Sequence, residues 1–235
     1  FDANRLKGKI GEELVKCSYS KGSQYRDFRD VTHEESYQKE GIDLIVYDYE
    51  GKSSSIEIKS IFTQCSDLPF ENWSNVDSSK VGNIFTSKAD YWVYVCFHRG
   101  VMITVLRAEM LSFFTFCISK ELLSASKSSF TETQYGQYES TYYSMALTLL
   151  LNNKGCFTEF YESPLPDISS LDPELYQKAV QLKYGKKEGS GCNSSFVSPR
   201  CSSVAQEYLR RRESSGYQQQ KHIDNNDPEL VDYSD

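Results

Sequence analysis

Apolar residues near the start of the chain recur at helical spacing. Leu6, Ile10, Leu14 and Cys17 fall on one stripe, which predicts a helix from about Asn4 to Tyr19. Gly8 and Gly11 lie on that helix, where each costs roughly 1 kcal/mol against alanine. Close approach to a neighbouring strand is one arrangement that would offset the cost. Gly22 suits the helix stop. The short alternating segment "YRDFRDVT" then reads as an edge strand. Asp43 to Tyr49 is nearly continuous apolar, as in a strand buried on both faces. Glu50-Gly51 is the expected turn, and Ser54 to Phe62 the return strand. On that strand Ile56 and Ile58 share one face, and Glu57 and Lys59 share the other.

Residues 63 to 88 are polar and irregular, with Pro69 and Gly82, and are expected to form a long loop of the kind that often carries function. "DYWVYVCF" and "VMITVLR" predict a second strand pair around His98-Arg99-Gly100. "RAEMLSFFTFCIS" predicts a helix. The Ser-rich stretch from Ser124 to Ser140 carries no pattern that assigns it an element, and "YSMALTLLLNNKG" fits helix or strand, with Gly155 as its terminator. "SSLDPELYQKAVQLKYG" predicts a helix with Asp172 as cap, Pro173 in the first turn and Gly185 at the stop. From about Lys186 the chain is Ser, Gln, Asn, Gly and charge, which predicts a largely disordered tail with one short helix near Ala205 to Arg212. The expected organisation is a domain over 1–170, a C-terminal helix over 171–185 and a tail over 186–235 whose removal leaves stability nearly unchanged.

Composition narrows the classes. With 39% hydrophobic residues, the first two thirds can bury a core. No run of 18 apolar residues occurs, so no spanning helix and no membrane partner are expected. The sequence opens at Phe1 without a basic segment followed by an apolar stretch, so no signal peptide is expected. The seven cysteines are odd in number and scattered, and no C-x-x-C pair is present. Free buried thiols in a reducing, intracellular (cytoplasmic) setting are the expectation, with no zinc ribbon or iron–sulfur cluster. The net charge of -7 argues against a protein that coats nucleic acid by bulk charge. It leaves room for an enzyme whose local Lys and Arg meet phosphates.

The informative chemistry is Asp43 followed, across the hairpin, by Glu57-Ile58-Lys59. Two carboxylates about 4 Å apart repel by roughly 4 kcal/mol at an effective dielectric near 20. One pKa would rise, or a hard divalent cation would remove the repulsion. Asp43 and Glu57 are the candidate metal ligands, joined by the main-chain carbonyl of Ile58, for Mg2+ or Mn2+. Lys59 can orient a nucleophile or meet charge developing on a phosphate. Glu12, on the opening helix, can reach the same place, with Glu13 as its competitor. The bland alternative is an exposed Glu57–Lys59 pair worth under about 1 kcal/mol. Asp43 weighs against it, because a lone acid buried inside "GIDLIV" costs several kcal/mol. Glu71 reads as a loop charge, Asp48 as part of the hairpin end and Asp90 as a strand cap.

"GKIGEELV", "GIDLIVYD" and "SIEIKS" together resemble the PD-(D/E)xK nuclease superfamily, and "SKADYWVYV" resembles the strand that follows the crossover there. The resemblance covers about Arg5 to Leu106. It implies a restriction-endonuclease-like α/β fold: an αβββαβ core with a central mixed sheet flanked by helices, here with a helical and disordered C-terminal extension. It implies that Glu12, Asp43, Glu57 and Lys59 occupy the acidic and lysine positions of the motif. Ile42 stands where the family name has proline, and residues 63–88 depart from a helical crossover. The implied activity is metal-dependent hydrolysis of phosphodiester bonds in DNA. The leading rival is an inactive relative of the same fold that serves as a nucleic-acid-binding or structural subunit, and a second is an RNA-cleaving toxin or effector of the same fold. A homodimer is the common assembly of such nucleases, since two strands need two sites related by a two-fold axis.

Overall fold

The computed structural model of the chain describes residues 2–21, 25–62, 67–133, 136–184 and 207–211. Helix α1 (Asp2–Ser20) leads to strand β1 (Asp27–Asp30), helix α2 (Glu35–Glu40) and the hairpin β2 (Leu44–Tyr47) and β3 (Ser53–Ile61). Next come β4 (Asp67–Asn75), β5 (Lys80–Val81), α3 (Asn83–Thr86), β6 (Tyr91–Cys96), β7 (Val101–Leu106) and α4 (Arg107–Ser119). The chain continues through β8 (Ser124–Thr133), β9 (Gly136–Ala146), α5 (Leu147–Asn152), β10 (Phe160–Pro164) and α6 (Pro173–Tyr184).

The strands form two sheets. The larger has the order β1-β2-β3-β6-β7-β10, and the smaller β5-β4-β9-β8. In the larger sheet only β3 and β6 run parallel; every other neighbouring pair is antiparallel. A parallel pair requires a crossover connection. Here β4, β5 and α3 supply it, so the connection that joins β3 to β6 also builds half of the second sheet. The protein is therefore a mixed α/β fold around a central mixed sheet flanked by helices.

Alternation along β6 explains the layering. Val93 and Val95 face one side, with Leu44, Val46 and Ile56, and are covered by Ile10, Leu14 and Val15 of α1 and by Leu175 and Ala179 of α6. Trp92 and Tyr94 face the other, where Phe113 and Phe114 of α4 and Leu68, Phe70 and Met145 of the second sheet close over them. Each such side chain gains about 1.5–3 kcal/mol by leaving water. Gly11 explains how tightly α1 lies on β3: a Cβ there would stand 1.8 Å from the Ser60 hydroxyl. Gly11 of the predicted helix is thus the point where helix and strand meet. Gly8 has no such contact, its nearest neighbour being the Glu12 carboxylate at 3.8 Å.

The predicted helices α1, α4 and α6 and the strands β2, β3, β6 and β7 are present. Asp172 caps α6, its Oδ1 accepting the N–H groups of Glu174 and Leu175 at 3.0 Å each. Asp48 closes the β2–β3 hairpin by accepting from the N–H groups of Glu50 and Lys52. Two expectations are corrected, and one stretch without an assigned element gains one. Residues 67–75 and 80–81 are strands and 83–86 a short helix, so the described part of 63–88, from Asp67 on, is not one long loop. The reason the loop expectation fails is a long-range one: β4 gains its partner, β9, from far along the chain. The Ser-rich stretch forms most of the β8–β9 hairpin. "YSMALTLLLNNKG" is both strand and helix, changing at Ala146, and the helix ends at Asn152, before Gly155. Helix α2 and strand β10 had no counterpart in the hydrophobic pattern.

Gly22, Gly185 and most of the tail lie outside the described residues. Residues 207–211 are helical, within the short helix expected near Ala205 to Arg212. Among the described residues no helix is long and apolar enough to cross a membrane. Cys17, Cys96, Cys117 and Cys156 are not in disulfides.

Candidate active site

The hairpin of β2 and β3 opens into a fork. The ladder between the two strands stops at Leu44 opposite Ile56, and the Asp43 N–H donates to the Ile56 carbonyl at 2.8 Å. Beyond that point β3 has lost its neighbour. The Ile58 N–H, which would have paired with β2, donates to Asp43 Oδ2 at 2.7 Å. The N–H and C=O of one strand residue face the same neighbour, so the Ile58 carbonyl also faces the Asp43 side.

Glu57 and Lys59 lie on the other face of β3 from Ile58, and parallel pairing sets them beside Trp92 and Tyr94. Lys59 Nζ donates to Glu57 Oε1 at 2.7 Å and sits 5.0 Å from the centre of the Trp92 ring. Only 16% of the lysine side chain and 9% of the glutamate side chain are exposed, so this is no surface ion pair. Asp90 fixes the register that brings them together: its Oδ2 accepts from both the N–H and the hydroxyl of Ser55, tying the start of β6 to β3.

Burial pushes the Asp43 carboxyl up to about 7. The Ile58 N–H opposes the rise, and the charges of Glu12 and Glu57 add to it against that of Lys59. Burial also raises Glu12, with Lys16 opposing. Its neighbour Glu13 is engaged elsewhere, bonded at 2.5 Å to Lys16, which also holds Asp30 at 2.7 Å. Against burial, hydrogen bonds from Lys16 and Thr32 hold Asp30 down at about 2. Of the two glutamates, Glu12 is therefore the one whose charge is felt at Asp43. The charges of Glu12, Glu57 and Lys59 are all felt at Asp43.

No protein-family model, curated protein or solved structure matches the chain.

The site is then characterised by its own chemistry. Glu57 Oε2 is buried and has no hydrogen-bond partner among the described residues. A carboxylate oxygen left so costs several kcal/mol, and with Asp43 driven toward its neutral form it marks a place short of positive charge. Mg2+ is commonly held by one or two carboxylates and otherwise keeps its waters or binds substrate phosphates. Asp43, Glu57 and the Ile58 carbonyl match that donor set. Among the described residues no three His, Cys, Asp or Glu side chains converge on one point. Two carboxylates and one main-chain carbonyl are too few to close a cage, so an ion held there would keep part of its water shell.

Two residues of the surroundings escaped the sequence reading. Glu71, read as a loop charge, lies on β4, and with Asn83 of α3 it lines a cleft of about 390 Å3 above Glu57 and Lys59. Asn83 Nδ2 donates to Glu57 Oε1 at 3.3 Å, and its N–H to Glu71 Oε2 at 3.4 Å. Gly82 makes this contact possible. A Cβ there would stand 2.0 Å from the Glu71 carbonyl oxygen, so only glycine lets α3 close on β4. The available signal was the alternation of Leu68 and Phe70 with Pro69 and Glu71, which marks a half-buried strand.

Proposed function

We propose that the chain is a divalent-metal-dependent nuclease that hydrolyses phosphodiester bonds in DNA. The observation that carries the reading is the fork itself: Asp43 bonded to the Ile58 N–H, with Glu57 carrying a buried, unmet oxygen beside Lys59. The element order supports it. Helix α1, strands β1, β2 and β3, helix α3 and strand β6, parallel to β3, follow the αβββαβ sequence of the restriction-endonuclease-like core, with α2, β4 and β5 as additions.

Asp43, Glu57 and the Ile58 carbonyl would hold Mg2+ or Mn2+, whose chemistry is to polarise a phosphate and lower the pKa of a bound water. Lys59, one hydrogen bond from Glu57, meets negative charge that develops on a phosphate oxygen and orients the attacking water. Glu12, partly buried and felt at Asp43, would help orient a water. The hydrophobic walls around Trp92 keep the local dielectric low, which strengthens each of these interactions.

The test is cleavage of linear, nicked, single-stranded and branched DNA by the purified chain. Activity with Mg2+ or Mn2+ that stops in excess chelator is expected. Chelator-resistant cleavage, or none on any of the four, overturns the reading. One observation favours a second reading: the 2.7 Å Lys59–Glu57 bond already satisfies one carboxylate oxygen. On that reading the chain keeps the outline of the site and serves as a nucleic-acid-binding or structural subunit, and Mn2+ titration gives no binding heat.

A further inference from the structure

The cleft above the site has a floor and a wall. Glu57 and Lys59 of β3 and Tyr94 of β6 form the floor; Glu71 of β4, Tyr142 of β9 and Asn83 of α3 form the wall. Two polar atoms of the floor, Glu57 Oε2 and the Tyr94 hydroxyl, are buried and without a hydrogen-bond partner among the described residues. One is an acceptor and the other a donor. Parallel pairing of β3 with β6 sets Tyr94 beside Lys59, one step of the alternation from Glu57 on the same face. Burial, and after it the charge of Glu57, raises the hydroxyl well above the ordinary tyrosine value, so the group keeps its proton and can donate it to a hydrogen bond.

The hydroxyl is costly where it stands. Tyr94 is 0% exposed. Its ring is fixed between Phe70 and Trp92, edge-on to both, at 6.3 and 6.4 Å between ring centres. Phenylalanine would fill this apolar cluster with no polar atom to desolvate. Buried polar groups are nearly always satisfied. A fixed donor that is unmet, next to an unmet carboxylate oxygen, is explained if the two meet in a state other than the resting one.

Charge defines that state. In the resting site Lys59 Nζ bonds Glu57 Oε1 at 2.7 Å, and Asn83 Nδ2 adds a long bond of 3.3 Å to the same oxygen. A divalent cation at Glu57 repels the Lys59 ammonium. The repulsion frees the lysine for a phosphate but takes the strongest donor from the carboxylate. A neutral donor can replace it without repelling the cation. We propose that Tyr94 is a positioning residue for Glu57: as Lys59 is released, the Tyr94 hydroxyl donates to Glu57 Oε2 and holds the carboxylate in place as a ligand. The proposal rests on the nuclease reading of Glu57 and Lys59. Carboxylates that bind metals are commonly held by such a hydrogen bond, and loss of the holding group lowers metal affinity about 10–100-fold.

The test is Tyr94→Phe in the full chain, read first by calorimetric titration with Mn2+. Affinity for Mn2+ should fall about tenfold or more. The metal-free denaturation midpoint should stay level or rise, because the variant removes only an unmet hydroxyl. A merely structural hydroxyl gives the opposite pair, a lower metal-free midpoint with Mn2+ affinity unmoved. Near-ultraviolet absorbance supplies a second readout. Mn2+ should shift a tyrosine band of the wild type to longer wavelength, as a phenol does on becoming a donor to a carboxylate, and the shift should be missing from Tyr94→Phe. An affinity loss below about threefold, a lowered metal-free midpoint, or a Mn2+ difference spectrum that survives the substitution overturns the proposal. Cleavage assays separate the two failures. Metal-dependent cutting by the wild type, with Mn2+ affinity unaltered in Tyr94→Phe, keeps the nuclease reading and sinks this one. A tenfold loss of Mn2+ affinity in Tyr94→Phe, about the low end of that range, beside a wild type that cuts no DNA, does the reverse. A wild type that binds no Mn2+ overturns both.

Discussion

The Asp43 carboxylate takes the Ile58 N–H at the point where β2 leaves β3. A side chain thus continues a backbone ladder, and Asp43→Asn is an informative substitution because an amide oxygen can do the same. The neutral amide is a poor ligand for a hard cation and relieves the repulsion from Glu12 and Glu57. Metal-free stability should stay level or rise, while metal-dependent turnover and the calorimetric Mn2+ signal should vanish. If Asp43 were instead the structural partner of Lys59, chemical denaturation would show a loss of about 3–5 kcal/mol.

The same carboxyl sets a pH dependence. Its folded-state value of about 7 lies above the ordinary 3.8, so between the two the folded chain holds a proton that the unfolded chain has released. The stability this provides is complete below about pH 4 and is lost as pH rises through about 7. Denaturant midpoints without metal should therefore fall across that window, and the fall should be smaller in Asp43→Asn, where only the raised Glu12 carboxyl remains to contribute. Saturating Mn2+ competes with the proton and should flatten or reverse the slope.

Gly82→Ala would force a Cβ into the Glu71 carbonyl. The backbone of α3 must then move, at a cost of about 1–3 kcal/mol, and Asn83 should lose Glu57. Gly155→Ala, which meets nothing within 4 Å, should change stability by less than about 0.5 kcal/mol. Equal denaturation midpoints for the two variants would contradict the close contact.

The C-terminal segment is more than a solvated tail. Tyr208 is 5% exposed and packs its ring 5.4 Å from Phe113 and 5.3 Å from Phe116, while Glu207 pairs with Lys120 at the end of α4. Tyr208→Ala, or removal of residues 185–235, should cost about 1–3 kcal/mol and lower the melting temperature by several degrees. This amends the expectation that the tail can be deleted without effect; an unchanged melting temperature would restore it.

Elements with strong local periodicity were legible: α1 through Ile10 and Leu14, β6 through its buried run, α6 through Asp172 and Pro173. So was the Asp43, Glu57 and Lys59 set, because period-two alternation alone sends Glu57 and Lys59 to one face. The second sheet was not. Its strands carry Ser, Thr, Asn and Pro, which favour turns locally, and they hold together through pairing between β4 and β9, whose residues lie far apart in sequence. Glu71 and Asn83 inherit that difficulty. Nothing near Glu71 in the chain says what stands opposite it, and only the assembled sheet brings it over Glu57.

Because β4 departs from the main sheet after β3 while β9 is reached only after α4, the wall of the cleft closes a long loop. The entropy of that closure must be met before the pairing is rewarded. The main sheet and α1 can assemble without it. Folding should thus proceed with the cleft completed last, and slow hydrogen exchange should reach Val93 and Val95 in β6 before Phe70 in β4 and Tyr143 in β9. The molecule would acquire its shape earlier than its capacity to hold a ligand.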